Sequence, residues 1–159
     1  MTPDPSHPAS QQASIQSDIQ PDITHPTRFA STRAAHADET AEDYVEAIAQ
    51  LIDQSGTARV GELARCMGVS HVTVTRILAR LERDGLVTRQ PRKPIKLTVA
   101  GRAMATQSLA KHETVLAFLL ALGINEQQAQ IDAEGIEHHV SEQTLSALAK
   151  LTEKLNSSP

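Results

Sequence analysis

Between residues 60 and 98 the spacing of apolar residues switches from that of helices to that of strands, and the punctuation between segments leaves few folds open. In RVGELARCMG, residues Val60, Leu63, Ala64 and Met67 form one helical stripe. Gly68-Val69-Ser70 follows as a tight turn, and Ser70 is a good N-cap for a second helix. In HVTVTRILARLERDG, Val74, Ile77, Leu78 and Leu81 face one way, while His71, Thr73, Arg76, Arg80 and Arg83 face the other. Gly85 stops this helix as a C′ glycine does. Leu86–Gln90 and Ile95–Thr98 then have strand character around Pro91-Arg92-Lys93-Pro94. The pattern predicts a helix-turn-helix followed directly by a two-stranded wing with a rigid basic tip.

The remaining segments read as helices around this unit. Residues 1–36 hold five of the eight prolines among many Ser, Thr and Gln and show no period, which predicts a disordered tail. Ala41, Tyr44, Val45, Ile48, Leu51 and Ile52 mark a helix that Asp38 or Thr40 could cap and Ser55-Gly56 ends. A long helix is expected from about 100 to 122, with Met104, Leu109, Val115, Phe118, Leu119 and Leu122 on its apolar side. Asn125 and Ser141 are placed to cap two more helices, the last with Leu145, Leu148, Leu151 and Leu155 in a stripe. With Phe29, Tyr44 and Phe118 as the only aromatics, packed helices are favoured over a β-sandwich. The expected fold is mainly α, with a tail over 1–36, a winged helix-turn-helix over 37–99 and an all-helical unit over 100–156.

No apolar run approaches the length of a membrane span. The N-terminal residues lack an export signal, and Cys66 is the single cysteine, so a reducing cytoplasm is expected. Cys66 itself reads as a small packed hydrophobe.

The net charge of −4 conceals a partition. Residues 37–57 carry six acidic side chains and no basic ones, residues 58–102 ten basic against three acidic, and residues 103–159 three against seven. A basic middle between acidic flanks points to a polyanion for the middle and a cation for the flanks, although charge counts alone also describe solvated helix faces. For double-stranded DNA, Ser70, His71, Thr73, Thr75 and Arg76 are polar residues near a helix N-terminus, able to reach base edges in a major groove. Arg80, Arg92 and Lys93 are among the cations available to phosphates.

In the acidic flanks, Asp43 and Glu46 are three residues apart, as are Glu134 and Glu137, with His138 four beyond Glu134. Crowded carboxylates are costly unless a cation pairs with them. Taken alone, each cluster reads more readily as solvated surface, the His-containing triplet being the better candidate for a metal. His112, within Lys111-His112-Glu113, is weak by itself, and His139 points away from the triplet.

The segments EDYVEAIAQLI, RLERDGLV, LTVAGR, KHETVLAFLLALG and DAEGIEHHVSEQTL occur in one order across residues 37–155. In this the chain resembles the diphtheria-toxin-repressor family of metal-dependent transcriptional regulators, in its manganese transport regulator branch. The resemblance implies metal ligands at Asp43, Glu46, His112, Glu134, Glu137 and His138, and a site for two ions. Oxygen and imidazole donors suit Mn²⁺ or Fe²⁺ better than soft metals, and the branch favours manganese. It also implies a homodimer on a palindromic operator, repression of metal-uptake genes, no small organic substrate and no enzymatic activity. The main alternative is a metal-independent winged-helix repressor sensing an organic ligand or oxidant. A hydrolytic two-metal enzyme is a more distant third, since no nucleophile triad or phosphate-cradling loop accompanies the ligand set.

Overall fold

The computed structural model describes residues 26–157. Six helices and one short hairpin follow in chain order: α1 (Pro26–Ser55), α2 (Val60–Cys66), α3 (His71–Arg83), β1 (Val87–Thr88), β2 (Lys96–Leu97), α4 (Val99–Ala121), α5 (Glu126–Ile136) and α6 (Glu142–Ser157). A 3-10 turn, Glu137–His139, joins α5 to α6.

Helix α1 begins earlier than expected. The tail predicted over 1–36 lies outside the described residues up to residue 25, but from Pro26 the chain is helical, so neither Asp38 nor Thr40 caps it. The physical reason is composition: after Pro26, which suits a first helical position, the segment is rich in alanine and free of proline and glycine.

The caps of the later helices form as their sequences dictate. Backbone N–H groups of Thr73, Gly101, Gln128 and Thr144 donate to the side-chain oxygens of Ser70, Thr98, Asn125 and Ser141. Gly85 and Gly123 take left-handed φ values of 74° and 84° just past α3 and α4.

The strands are shorter than Leu86–Gln90 and Ile95–Thr98. Only Val87 and Thr88 pair with Leu97 and Lys96, antiparallel, and a lone bridge joins Ala58 to Ile95. The prolines explain this: Pro91 and Pro94 cannot donate to a ladder, and the chain turns instead, with Lys93 N–H donating to the Gln90 carbonyl at 3.1 Å. Arg92 occupies this turn at φ 62°. Proline followed by a positive φ is the pattern of a type II turn, which normally takes glycine at the second position.

Two apolar cores result. In the first, Tyr44, Val45 and Ile48 of α1 pack with Leu63, Val74, Leu78, Leu81, Val87 and Ile95 of the winged helix. The second joins Val115 and Leu119 of α4 to Ala129 and Ala133 of α5 and Leu145 of α6. The two meet along α4, which packs against α1, α5, α6 and the 3-10 turn. At the entry to α4 the backbones approach so closely that a Cβ on Gly101 would overlap the Leu86 carbonyl oxygen. No helix among the described residues is long and apolar enough to cross a membrane.

Candidate metal centre and nucleic-acid interface

Helix α1 is apolar towards the winged helix through Tyr44, Val45 and Ile48, and carries Asp43 and Glu46 beside them in sequence. These two carboxylates line a cleft of about 580 Å³ that is closed by Glu134, Glu137 and His138. His112 reaches the same group from α4: its Nδ1 lies 2.6 Å from Glu137 Oε2 and 3.7 Å from Glu134 Oε1. His138 Nε2 lies 3.2 Å from Asp43 Oδ1 and 3.4 Å from Glu137 Oε1. The structure therefore brings five of the six expected residues into mutual contact or near-contact. Glu46 lines the same cleft, but its carboxylate accepts from Gln50 Nε2 at 3.2 Å.

The three- and four-residue spacing predicts Glu134, Glu137 and His138 on one helix side, and the structure corrects this. Glu134, Glu137 and His138 do not share a single helix side, because α5 ends at Ile136 and the next three residues tighten into a 3-10 turn. The tighter turn sends Glu137 and His138 inward, with side chains 3% and 4% exposed, while Glu134 remains 69% exposed. His139 turns outward to within 3.9 Å of Glu39 and sits edge-on to His36. Cys66 also departs from expectation: it is exposed, and with Met67 it lines the acidic cleft instead of packing in a core.

Sequence inspection passed over Glu42. Its Oε1 accepts from Lys111 Nζ at 2.8 Å and its Oε2 pairs with His138 Nδ1 at 2.8 Å, both part-buried. The signal was present only as a third carboxylate next to Asp43.

Burial and charge set the electrostatics. Desolvation pushes the Glu137 carboxyl above the usual carboxylate range, against the opposing pull of His112 and His138. Asp43 is raised by desolvation and by the neighbouring carboxylates Glu39, Glu134 and Glu46, with His138 opposing. For Glu42 desolvation is outweighed by the bonds to Lys111 and His138, and its pKa falls. His138 shows the converse: burial disfavours its charge, yet the bond to Glu42 and the charges of Asp43 and Glu137 raise its pKa.

Among the described residues, no three His, Cys, Asp or Glu side chains stand ready-gathered as a metal-holding cluster. The imidazoles and carboxylates satisfy one another instead. The donor set, two imidazoles and several carboxylates without a packed thiolate, is nevertheless chemically matched to a divalent first-row ion.

On the other side of the winged helix, Ser70, His71, Thr75, Arg76, Arg92 and Lys93 are exposed and Thr73 is half-exposed. Helix α3 and the wing flank a groove of about 670 Å³ lined by His71, Thr75, Arg92 and Lys93. Two hydroxyls are partly committed: Ser70 caps α3, and Thr75 donates to the His71 carbonyl at 2.8 Å. Arg80 is part-buried and engaged within the protein. Its Nη2 donates to the Ala37 carbonyl at 2.8 Å and its Nε lies 3.4 Å from Asp84, so the structure uses it as a strut between α3 and α1. Arg89 is likewise engaged, with Glu82 at 2.8 Å. The residue missed here is Val72, 78% exposed in the first turn of α3.

A winged helix joined to a helical unit that gathers imidazoles and carboxylates is the build of a metal-dependent DNA-binding regulator. Two family descriptions match the chain: "Iron dependent repressor, N-terminal DNA binding domain" over residues 36–95, and "Iron dependent repressor, metal binding and dimerisation domain" over residues 98–159. The chain is 43% identical over 130 residues to the transcriptional regulator MntR of Escherichia coli O6:H1, covering 82% of this chain and 84% of that protein. It is 31% identical over 118 residues to the HTH-type transcriptional regulator MntR of Lysinibacillus sphaericus, covering 74% and 85%. Its fold is similar to a manganese-dependent transcriptional repressor in complex with manganese, with TM-score 0.65, 26% identity and coverage of 71% of this chain and 52% of that one. For the manganese regulator SloR the values are 0.63, 25%, 71% and 53%, so the chain spans about half the length of these two structures. The chain belongs to the iron-dependent repressor family, and is a metal-dependent transcriptional regulator.

Proposed function

We propose that the protein is a manganese-responsive repressor of metal-uptake genes, acting in the cytoplasm without enzymatic activity or an organic effector. Asp43, Glu46, His112, Glu134, Glu137 and His138 are its metal ligands, in a site for two Mn²⁺ ions. The observation that carries this reading is the meeting of Asp43 of α1, His112 of α4, and Glu137 and His138 of the 3-10 turn within 3.4 Å of one another along the chain of contacts Asp43–His138–Glu137–His112. Two segments on either side of the DNA reader thereby converge.

A bound divalent cation supplies the positive charge that these carboxylates lack. Asp43 and Glu46 ride on the helix that carries the winged-helix core, so holding them against Glu137 and His138 sets the orientation of α3. Desolvation raises the pKa of Glu137 and Asp43, so protons compete with a cation for these carboxylates and uptake weakens as pH falls. Exposed Leu109, Leu120 and Leu122 near α4 and Leu151 and Leu155 of α6 supply apolar surface for pairing with a second copy. Two copies of α3 then address half-sites of a palindromic operator about one DNA turn apart, ~34 Å. His71, Thr73, Thr75 and Arg76 face the bases, Ser70 fixes the helix end, Val72 suits a thymine methyl, and Arg92 and Lys93 take phosphates. A preference of ~10²-fold for the DNA-competent arrangement corresponds to ~2.7 kcal/mol.

Operator affinity with and without Mn²⁺ tests this reading. The expected result is a gain of about two orders of magnitude with the metal; equal affinities would overturn it.

A further inference from the structure

We infer that Glu42 is a positioning residue that selects the tautomer of His138 and so presents its Nε2 lone pair to the cleft. The inference rests on His138 being a ligand, as proposed above. Glu42 is a half-buried carboxylate of α1 with one oxygen on Lys111 Nζ and the other on His138 Nδ1, each at 2.8 Å. An ionised carboxylate only accepts hydrogen bonds, so the neutral imidazole must carry its proton on Nδ1. Nε2 is then left with the lone pair, and it is Nε2 that faces Asp43 at 3.2 Å and Glu137 at 3.4 Å. His112 is oriented the other way, with Nδ1 towards Glu137 and Glu134. The two histidines therefore meet the cleft through different nitrogens, and among the described residues His138 alone of the two has a carboxylate on its other nitrogen. Lys111 holds that carboxylate from α4, so three elements fix one ring. Partners of this kind orient metal-binding histidines and raise their basicity.

Glu42→Gln tests the assignment at almost constant shape. Its amide has one acceptor and one donor end. With the oxygen on Lys111, the NH₂ group faces His138 Nδ1 and favours the opposite tautomer, in which Nε2 carries the proton. Nitrogen-15 NMR of the metal-free full chain, at a pH where His138 is neutral, reads the tautomer directly. Titration with Mn²⁺ reads affinity. The expected result is an Nδ1–H tautomer in the wild type, its loss in E42Q, and Mn²⁺ affinity lowered about 10- to 100-fold in E42Q. Lys111→Met, which leaves Glu42 on His138, is expected to keep the tautomer with a smaller loss of affinity. An Nε2–H tautomer in the wild type overturns the inference without recourse to any variant. E42Q binding Mn²⁺ as tightly as the wild type overturns it as well, while leaving the metal reading standing. A wild type that takes up no Mn²⁺ overturns the metal reading, and this inference with it.

Discussion

The winged helix and the acidic cleft share α1 but are stabilised by opposite means. In the winged helix, Val45, Ile48, Leu63, Val74 and Leu78 have no exposed surface, and the charged residues stay outside. Each such side chain contributes ~1.5–3 kcal/mol by leaving water, so this head is complete without a ligand. In the cleft, Asp43 of α1 and buried Glu137 are joined through His138 Nε2, at 3.2 and 3.4 Å, and both carboxyls are raised in pKa by desolvation. Hydrogen bonds to imidazoles hold the group together in place of apolar contact. On the proposed reading, a metal has little to add to the fold of the reading head and acts on the connection between head and helical unit.

Changes in the two regions should separate accordingly. Leu78→Ala, in the head, is expected to have the largest effect on stability, a loss of ~2–5 kcal/mol with or without Mn²⁺, seen as a lower midpoint in urea. A variant whose stability is rescued by Mn²⁺ would break the comparison. Glu137→Ala, in the cleft, should keep the dimer and the fold but lose the whole ~10²-fold metal-dependent gain in operator affinity; dissociation of its dimer would make the site structural. Gly101→Ala forces a Cβ into the Leu86 carbonyl where head and helical unit join, and should cost ~1–3 kcal/mol in thermal unfolding.

Arg92→Gly should act in two directions. It relieves a left-handed strain of ~1 kcal/mol at the wing tip and, on the proposed reading, also removes a phosphate contact, reducing the salt dependence of DNA binding by ~0.9 in slope. An unchanged slope would remove Arg92 from the interface.

The smallest effect concerns pH. In the metal-free protein His138, Glu137 and Asp43 all have folded pKa values above their ordinary ones. The folded state therefore binds more protons than the unfolded state, and these groups make stability fall as pH rises from about 4 through the folded pKa of His138. Glu42, lowered, works the other way, its contribution being lost as acid protonates it. Unfolding midpoints of the metal-free protein across pH should decline in this window, and Mn²⁺ should remove the decline. A midpoint that rises with pH would contradict the electrostatic picture of the cleft.

Much of this was legible in the chain. Ser70, Asn125, Ser141, Gly85 and Gly123 end or begin helices where their chemistry requires, since a cap involves neighbours three residues away or a single φ angle. Helical spacing marks Asp43 with Glu46 and Glu134 with Glu137 and His138 as clusters, but the full set of six candidate ligands, His112 included, follows only from the family resemblance. What was not legible required contacts between distant segments. Glu42 and His138 are 96 residues apart, and nothing local distinguishes Glu42 from a solvated carboxylate. Arg80 looked like any outward cation on α3, yet its partner, the Ala37 carbonyl, lies 43 residues away. The inward turn of Glu137 and His138 depends on the chain tightening into a 3-10 turn directly after α5, which the helical spacing of Glu134, Glu137 and His138 does not reveal.

The sequence by itself determined the helices, their stops, the winged reading head and the supply of ligand-type side chains, because short-range sterics, capping and apolar periodicity act within a few residues. Tertiary structure alone decided which carboxylate stands behind which imidazole, which arginines are engaged within the protein and which leucines stay uncovered. Those outcomes depend on how α1, α4 and the 3-10 turn pack, and packing is settled by the summed burial of two cores, not by any local run of residues.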